Sequence, residues 1–322
     1  MKKKRKIIVT GGCGYIGTMV CRELLENGHE VLSIDILQFG NEGFNYNKKF
    51  LKFRFIQDDY VNFKKILDIY KSYDTVIHLA AISGMPSCDK YKKKSNRINY
   101  LNVKKYFNFL NKQKNIKKIF FASSTSVFGI NEGISDEKTK CKPISNYGIQ
   151  KLNCEKYIKK LKNKFFILRF PTIFGYSYRM RYDLTINEFC RFLLLKKRIS
   201  VFNLNSFRPY CYIGDLKKII RTCIEKNFLI DGPICVGHEK FNLNKAMIMK
   251  FLIKNNPINK KMFKIVKKSD VDQRNYNVSF KKFKSLKIYK FNKSFIEILK
   301  IMLFEIKKNN IRKLTYNYKS EW

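Results

Sequence analysis

Six short apolar runs alternate with stretches of helical length through the first half of the chain, and this alternation restricts the fold more than any other feature. The runs are KIIVT, EVLSID, FRFIQ, TVIHLA, IFFASS and FFILRF. Each reads as a buried parallel strand, four to six residues long and followed by a break. Between them Tyr15–Asn27, Asn99–Gln113 and Asn146–Leu161 have the length and composition of helices. Parallel strands need such crossovers, so residues 1–172 are expected to form an α/β, Rossmann-type doubly wound parallel sheet. Beyond residue 172 the pattern loosens. A helix is expected over Leu184–Lys197, a strand over Ile199–Phe202, a helix over Asp215–Glu225 and a strand over Pro233–Val236. The last seventy residues read as helices between Lys/Asn-rich loops. Residues 173–322 are therefore expected to make a smaller C-terminal substrate-binding lobe, with parts of 209–237 packing back onto the sheet.

Composition narrows the class of protein. No apolar run approaches the roughly 18–20 residues that span a bilayer. MKKKRK is followed by only IIVT before a glycine-rich turn, which leaves no room for a secretory apolar region and suggests a cytoplasmic protein. The nine cysteines are scattered singly without a CxxC pair, so no metal site and no disulfide framework is signalled. The net charge of +42 has two readings. One is a footprint for nucleic acid or an anionic membrane surface; the other is compositional drift in a Lys/Asn/Ile-rich chain, which the even spread of lysines favours. Either way the field attracts anionic ligands.

VTGGCGYIGT joins the first strand to the first helix. Gly11, Gly14 and Gly17 allow a tight turn, close approach of backbone to a pyrophosphate and close helix–strand packing. The phosphates would rest at the positive end of the helix dipole. Asp35, ending the second strand 24 residues after Gly11, is placed to accept hydrogen bonds from ribose hydroxyls, which favours NAD over NADP. Asp58 is a candidate for contacting adenine or, like Asp59, for capping a helix.

Ser123-Ser124-Thr125 ends the fifth strand, and Tyr147-Gly-Ile-Gln-Lys151 follows. Tyrosine and lysine four apart share a helix face, and an ammonium beside a phenol stabilises the phenolate as a base. YxxxK occurs four times, at Tyr60, Tyr100, Tyr147 and Tyr289. Only Tyr147 heads a helix after a strand ending in a hydroxyl cluster.

Together these segments resemble the extended short-chain dehydrogenases/reductases, the NAD-dependent epimerase/dehydratase family that includes UDP-glucose 4-epimerase. VTGGCGYIG, HLAA (78–81), SSTSVFG (123–129), YGIQK and LRFPTIFG (168–175) carry the resemblance. It implies NAD contacts from Tyr15, Ile16, Ala80, Ala81, Asn99, Tyr147 and Lys151 beside the glycine loop, and catalysis by Ser124, Tyr147 and Lys151 with help from Thr125. FRPYCYIGD and DQRNYNVS are similar to segments whose arginines, here Arg208 and Arg274, bind a substrate diphosphate. RMRYDLTIN resembles a subgroup associated with surface-polysaccharide sugars, and implies that Asn187 approaches the same diphosphate. Thr172 stands where the family often has Asn. Members that eliminate water carry an acid one or two residues after the catalytic Ser/Thr; here Thr125 and Ser126 occupy those positions. The resemblance thus implies a nucleotide-sugar epimerase oxidising carbon 4 transiently, or else a 4-dehydrogenase or reductase. It also implies a homodimer formed through the helices Asn99–Gln113 and Asn146–Leu161. A non-catalytic NAD sensor or a nucleic-acid binder are the readings of a different class.

Overall fold

The computed structural model describes residues 4–161, 165–226, 228, 231–255, 257–266 and 274–309. Five parallel strands, β1 (Lys6–Thr10), β2 (Glu30–Ile34), β3 (Phe53–Ile56), β4 (Thr75–His78) and β5 (Lys118–Ser124), form the body of one sheet. Phe165–Phe170 and Ile234–Cys235 extend it, so that its order is Ile234–Cys235, Phe165–Phe170, β5, β4, β1, β2, β3. The chain therefore winds one way from β1 to β3 and the other way from β4 onward. That reversal leaves a crevice beyond the carboxyl ends of β1 and β4, where ligands of open α/β sheets bind.

The two faces of β1 show why the strand is apolar throughout. Ile7 and Val9 pack towards the helix α1 (Tyr15–Glu26) and the C-terminal half, whereas Ile8 packs with Leu32, Val76, Tyr106 and Phe107. All three are fully buried, each side chain contributing about 1.5–3 kcal/mol through loss of apolar contact with water. Aromatic residues fill the second face, where the Tyr70 and Tyr106 hydroxyls also meet at 2.9 Å.

The expected strands and long helices form close to their expected limits. Asn99–Gln113 differs at its start: a π-turn, Arg97–Leu101, precedes the helix Asn102–Asn111. Among the last seventy residues the structure adds strands to the expected helices. Phe263–Ile265 pairs with Ile199–Val201, and Asn275–Val278 with Ile130–Ser135. These pieces are too short to carry a period, and their partners lie far away in sequence. Arg208–Tyr212 similarly pairs with Thr172–Phe174 and Asn242–Leu243. No helix among the described residues is long and apolar enough to cross a membrane.

One lysine joins the sheet to the next layer. Lys118 begins β5 and is buried, and its Nζ donates to the carbonyls of Ile224 and Lys226 at 3.0 and 2.9 Å. These belong to the end of the helix Ile213–Glu225, whose last carbonyls have no intrahelical partner. Lys118→Met is expected to lower stability by about 1.5–3 kcal/mol, the worth of charge-assisted hydrogen bonds. The midpoint of urea unfolding should fall accordingly, with an unchanged slope.

Candidate active site

A cavity of about 950 Å³ opens beyond the carboxyl ends of β1, β2, β4 and β5 and is closed on the far side by the C-terminal half. One end is built from backbone. Gly11 has φ +72°, and a Cβ there would meet the Ala80 nitrogen at 2.7 Å, so only glycine lets β1 turn under β4. A Cβ on Gly17 would overlap the Gly11 carbonyl, which explains the third glycine. Gly14 is the N-cap of α1, and no side chain caps it. Gly14, Tyr15, Ile16 and Gly17 line the cavity, so the first turn turns its N–H groups and dipole towards a ligand, a fit for a pyrophosphate.

Asp35 stands at the same end. Its Oδ2 accepts the Cys13 N–H at 3.0 Å and its Oδ1 the Leu37 N–H at 2.9 Å. Burial raises its pKa, against the opposing pull of those two N–H groups and of Arg179. Each oxygen keeps a lone pair for a ribose hydroxyl. Asp58 also lines the cavity, with Oδ1 accepting from the Asp59 N–H and from Asn62. Asp59 supplies the N-cap of the following turn. Ala80 and Ala81 form the wall beyond β4.

The other end holds the hydroxyl cluster. Ser124 Oγ accepts the Ser126 N–H and donates to Ser126 Oγ, both at 3.1 Å. Ser126 Oγ also accepts from Arg274 Nη1 at 2.7 Å, so an arginine reaches the serine turn through one intermediate hydroxyl. Thr125 Oγ1 lies 3.2 Å from the Tyr276 hydroxyl. Tyr147 lines the cavity with these groups. Lys151 is buried beneath it, its Nζ 5.6 Å from the Tyr147 ring centre and donating to the Ala122 carbonyl at 2.7 Å. Burial pulls the Lys151 ammonium down to about 8. Of the other YxxxK tyrosines, Tyr60 reaches the wall without its lysine, and Tyr100 and Tyr289 do not line it.

Two predicted residues lie away from the wall. Asn99 is buried behind it, donating to the Ile82 carbonyl and to Gln150 Oε1, both at 2.8 Å, and accepting the Ile82 N–H. It therefore pins the loop after β4. Asn187, fully buried on the inner face of the helix Thr185–Leu194, accepts the Gly175 N–H at 3.0 Å. Its Nδ2 donates to the Tyr15 hydroxyl and the Arg181 carbonyl. It ties Tyr15 to the segment crossing the cavity. Arg208 does line the cavity, as does Thr172, and the Arg208 guanidinium lies 5.7 Å from the Tyr276 ring centre. Asp272 and Gln273 of the second arginine segment fall outside the described residues.

Sequence reasoning missed several cations. Arg179, Arg181, Arg198 and Lys245 line the cavity beside Arg208 and Arg274, all from the C-terminal half. Arg181 is held by a two-pronged contact with Asp183 and by Ser83 Oγ at 2.5 Å. The RMR run was the available signal, but a basic run normally reads as solvated surface. Such a wall suits a polyanionic ligand.

The residues from β1 to Cys235 define the class. A model of the NAD dependent epimerase/dehydratase family matches residues 7–236, and the chain belongs to that family, the extended short-chain dehydrogenase/reductase enzymes whose cofactor is NAD. An uncharacterized UDP-glucose epimerase of Bacillus subtilis, YtcB, is 31% identical over 247 residues, covering 72% of this chain and 76% of its own. UDP-glucuronic acid 4-epimerase from Bacillus cereus, solved with UDP-glucuronic acid and NAD, has a TM-score of 0.84 at 25% identity, over 94% of this chain and 99% of that one. UDP-N-acetylglucosamine 4-epimerase of Methanobrevibacter ruminantium shares the fold, with a TM-score of 0.84 at 23% identity over 95% and 99% of the two chains.

The buried ammonium makes a prediction for the cofactor-free protein. Lys151 is protonated below about 8 when folded, yet up to its ordinary 10.5 when unfolded. Between these values the unfolded chain binds more protons, so this group's contribution to stability rises with pH; below them its buried charge is a penalty. Lys151→Met should therefore gain stability relative to the native protein at pH 7 compared with pH 10, by an amount approaching about 3 kcal/mol. Paired denaturation curves at the two pH values test the sign.

Proposed function

We propose that this chain is a nucleotide-sugar 4-epimerase, with Tyr147 as the base. The observation that carries the reading is Lys151, an ammonium buried below the Tyr147 ring in a cavity that Ser124 also lines. Bound NAD supplies a hydride acceptor and donor. Lys151 favours the ionised form of Tyr147, which takes the proton from the sugar's 4-hydroxyl as that carbon is oxidised. Ser124 hydrogen-bonds the same oxygen and relays the proton, with Thr125 as its helper. Arg208 and Arg274 grip the diphosphate, for which the planar guanidinium fork is suited. Held by its diphosphate, the sugar is free to turn and to be reduced on its other face. The relatives named for UDP-glucose and UDP-glucuronic acid support a UDP-sugar as the substrate. The likeness of Arg179–Asn187 to the surface-polysaccharide subgroup supports a supply role for such sugars.

Tyr147→Phe is expected to reduce kcat by about 10²–10⁴-fold, the usual worth of a positioned acid–base group. NAD binding should persist. The assay is incubation with UDP-, GDP-, CDP- and dTDP-sugars, following product stereochemistry by NMR together with nicotinamide absorbance. More than a few per cent of activity in the variant would remove Tyr147 from the mechanism. Stoichiometric keto-sugar and reduced cofactor would identify a net dehydrogenase instead.

We also infer a homodimer through Asn99–Gln113 and Asn146–Leu161, on which Leu101 and Ile149 stand 44% and 42% exposed. Ile149→Lys should halve the mass measured by light scattering. A native protein that is monomeric at micromolar concentration would contradict this arrangement.

A further inference from the structure

The cavity wall near Asp35 carries a cation unused by the roles above. Arg179 comes from the C-terminal half, is 4% exposed and lines the same cavity as Asp35. Its guanidinium lies 4.6 Å above the ring of Phe39, in the loop that follows Asp35. Nη1 donates to the Met180 carbonyl at 2.9 Å, and the backbone is anchored through Ser177, whose Oγ donates to the Tyr15 carbonyl at 2.8 Å. The arginine is thus a fixed, desolvated charge over the loop next to the ribose-binding carboxylate. Its field reaches Asp35, lowering that group's pKa against the larger effect of burial.

A 2′-phosphate on the adenosine ribose would meet two opposed charges there. Asp35 accepts hydrogen bonds from a ribose diol and repels a phosphate, whereas an arginine near the same oxygen accommodates one. A guanidinium stacked on an aromatic face keeps its edge N–H groups directed sideways, the geometry that phosphate oxygens require. We propose that Arg179 is the second half of the cofactor-specificity site: Asp35 alone keeps the protein selective for NAD, and Arg179 is a latent binding group for the 2′-phosphate of NADP. The proposal rests on the assignment of Asp35 to the adenosine ribose. It makes specificity a joint property of both halves of the chain, since Asp35 ends β2 and Arg179 follows Gly175.

Calorimetric titration of the full chain with NAD and with NADP tests this without any turnover. The native protein should bind NAD and bind NADP at least about tenfold more weakly. Asp35→Ser should raise NADP affinity at least about tenfold, and adding Arg179→Met should abolish the gain. Because Asp35 also holds the Cys13 and Leu37 N–H groups, Asp35→Asn serves as the parallel variant; it removes the charge while keeping an acceptor oxygen. No gain in NADP affinity in a folded Asp35→Asn protein, or a gain that survives Arg179→Met, overturns the proposal. A native protein with no preference for NAD overturns the assignment of Asp35 beneath it.

Discussion

The placement of Tyr147, Lys151 and Ser124 around the cavity depends on one buried ion pair. Glu155 and Arg169 are almost wholly shielded from water, with Arg169 Nε and Nη2 donating to the two carboxylate oxygens at 3.0 and 2.8 Å. Ser123 Oγ donates to Glu155 Oε1 at 2.5 Å. These contacts tie together the helix Asn146–Ile158, β5 and the strand Phe165–Phe170. Glu155 lies one helical turn beyond Lys151, and Ser123 immediately precedes Ser124. The relative placement of the phenol, the ammonium and the hydroxyl is thus held from beneath the cavity floor. Such a pair adds little net stability over an apolar replacement, but losing one partner strands a buried charge at a cost of about 3–5 kcal/mol.

The two ends of the cavity are made from different materials. The end assigned to the cofactor is built chiefly from backbone, a glycine turn and an uncapped helix start, with the Asp35 carboxylate held by N–H groups and Arg179 over the neighbouring loop. The end assigned to the substrate is lined by long side chains, chiefly arginines from the C-terminal half. Backbone geometry suits a ligand that stays the same across a family, whereas long side chains on short strands and loops are free to differ among substrates. The high net charge contributes to this division only where it lines the cavity. Buried cations act over a short range in a weakly screened environment; exposed lysines are screened by salt.

How much was legible varied with the range of the interaction. The strand–helix alternation, the glycine loop and the acid ending β2 are local patterns, and each occupies the position read for it. Tyr147 was separable from three other YxxxK tyrosines because a helix start after a hydroxyl-ended strand is also local. That Asn99 and Asn187 lie off the cavity wall was not legible, because sequence does not say which face of a helical segment meets the cavity. Both turn inward, where their amides satisfy backbone groups that burial would otherwise leave unpaired. The place of Arg179 and Arg181 in the cavity wall was not readable from their basic run, which looks alike on a surface and across a cleft.

The amino-acid order by itself determined the sheet, the phosphate turn and the pairing of Tyr147 with Lys151, because periodicity and backbone sterics act between residues a few positions apart. Tertiary structure alone decided that Arg179, Arg181, Arg198 and Lys245 join Arg208 and Arg274 around the cavity, that Ser126 links Arg274 to Ser124, and that Arg179 comes to lie near Asp35. Those juxtapositions join segments as much as 148 residues apart, and only the folding of the C-terminal half against the sheet creates them.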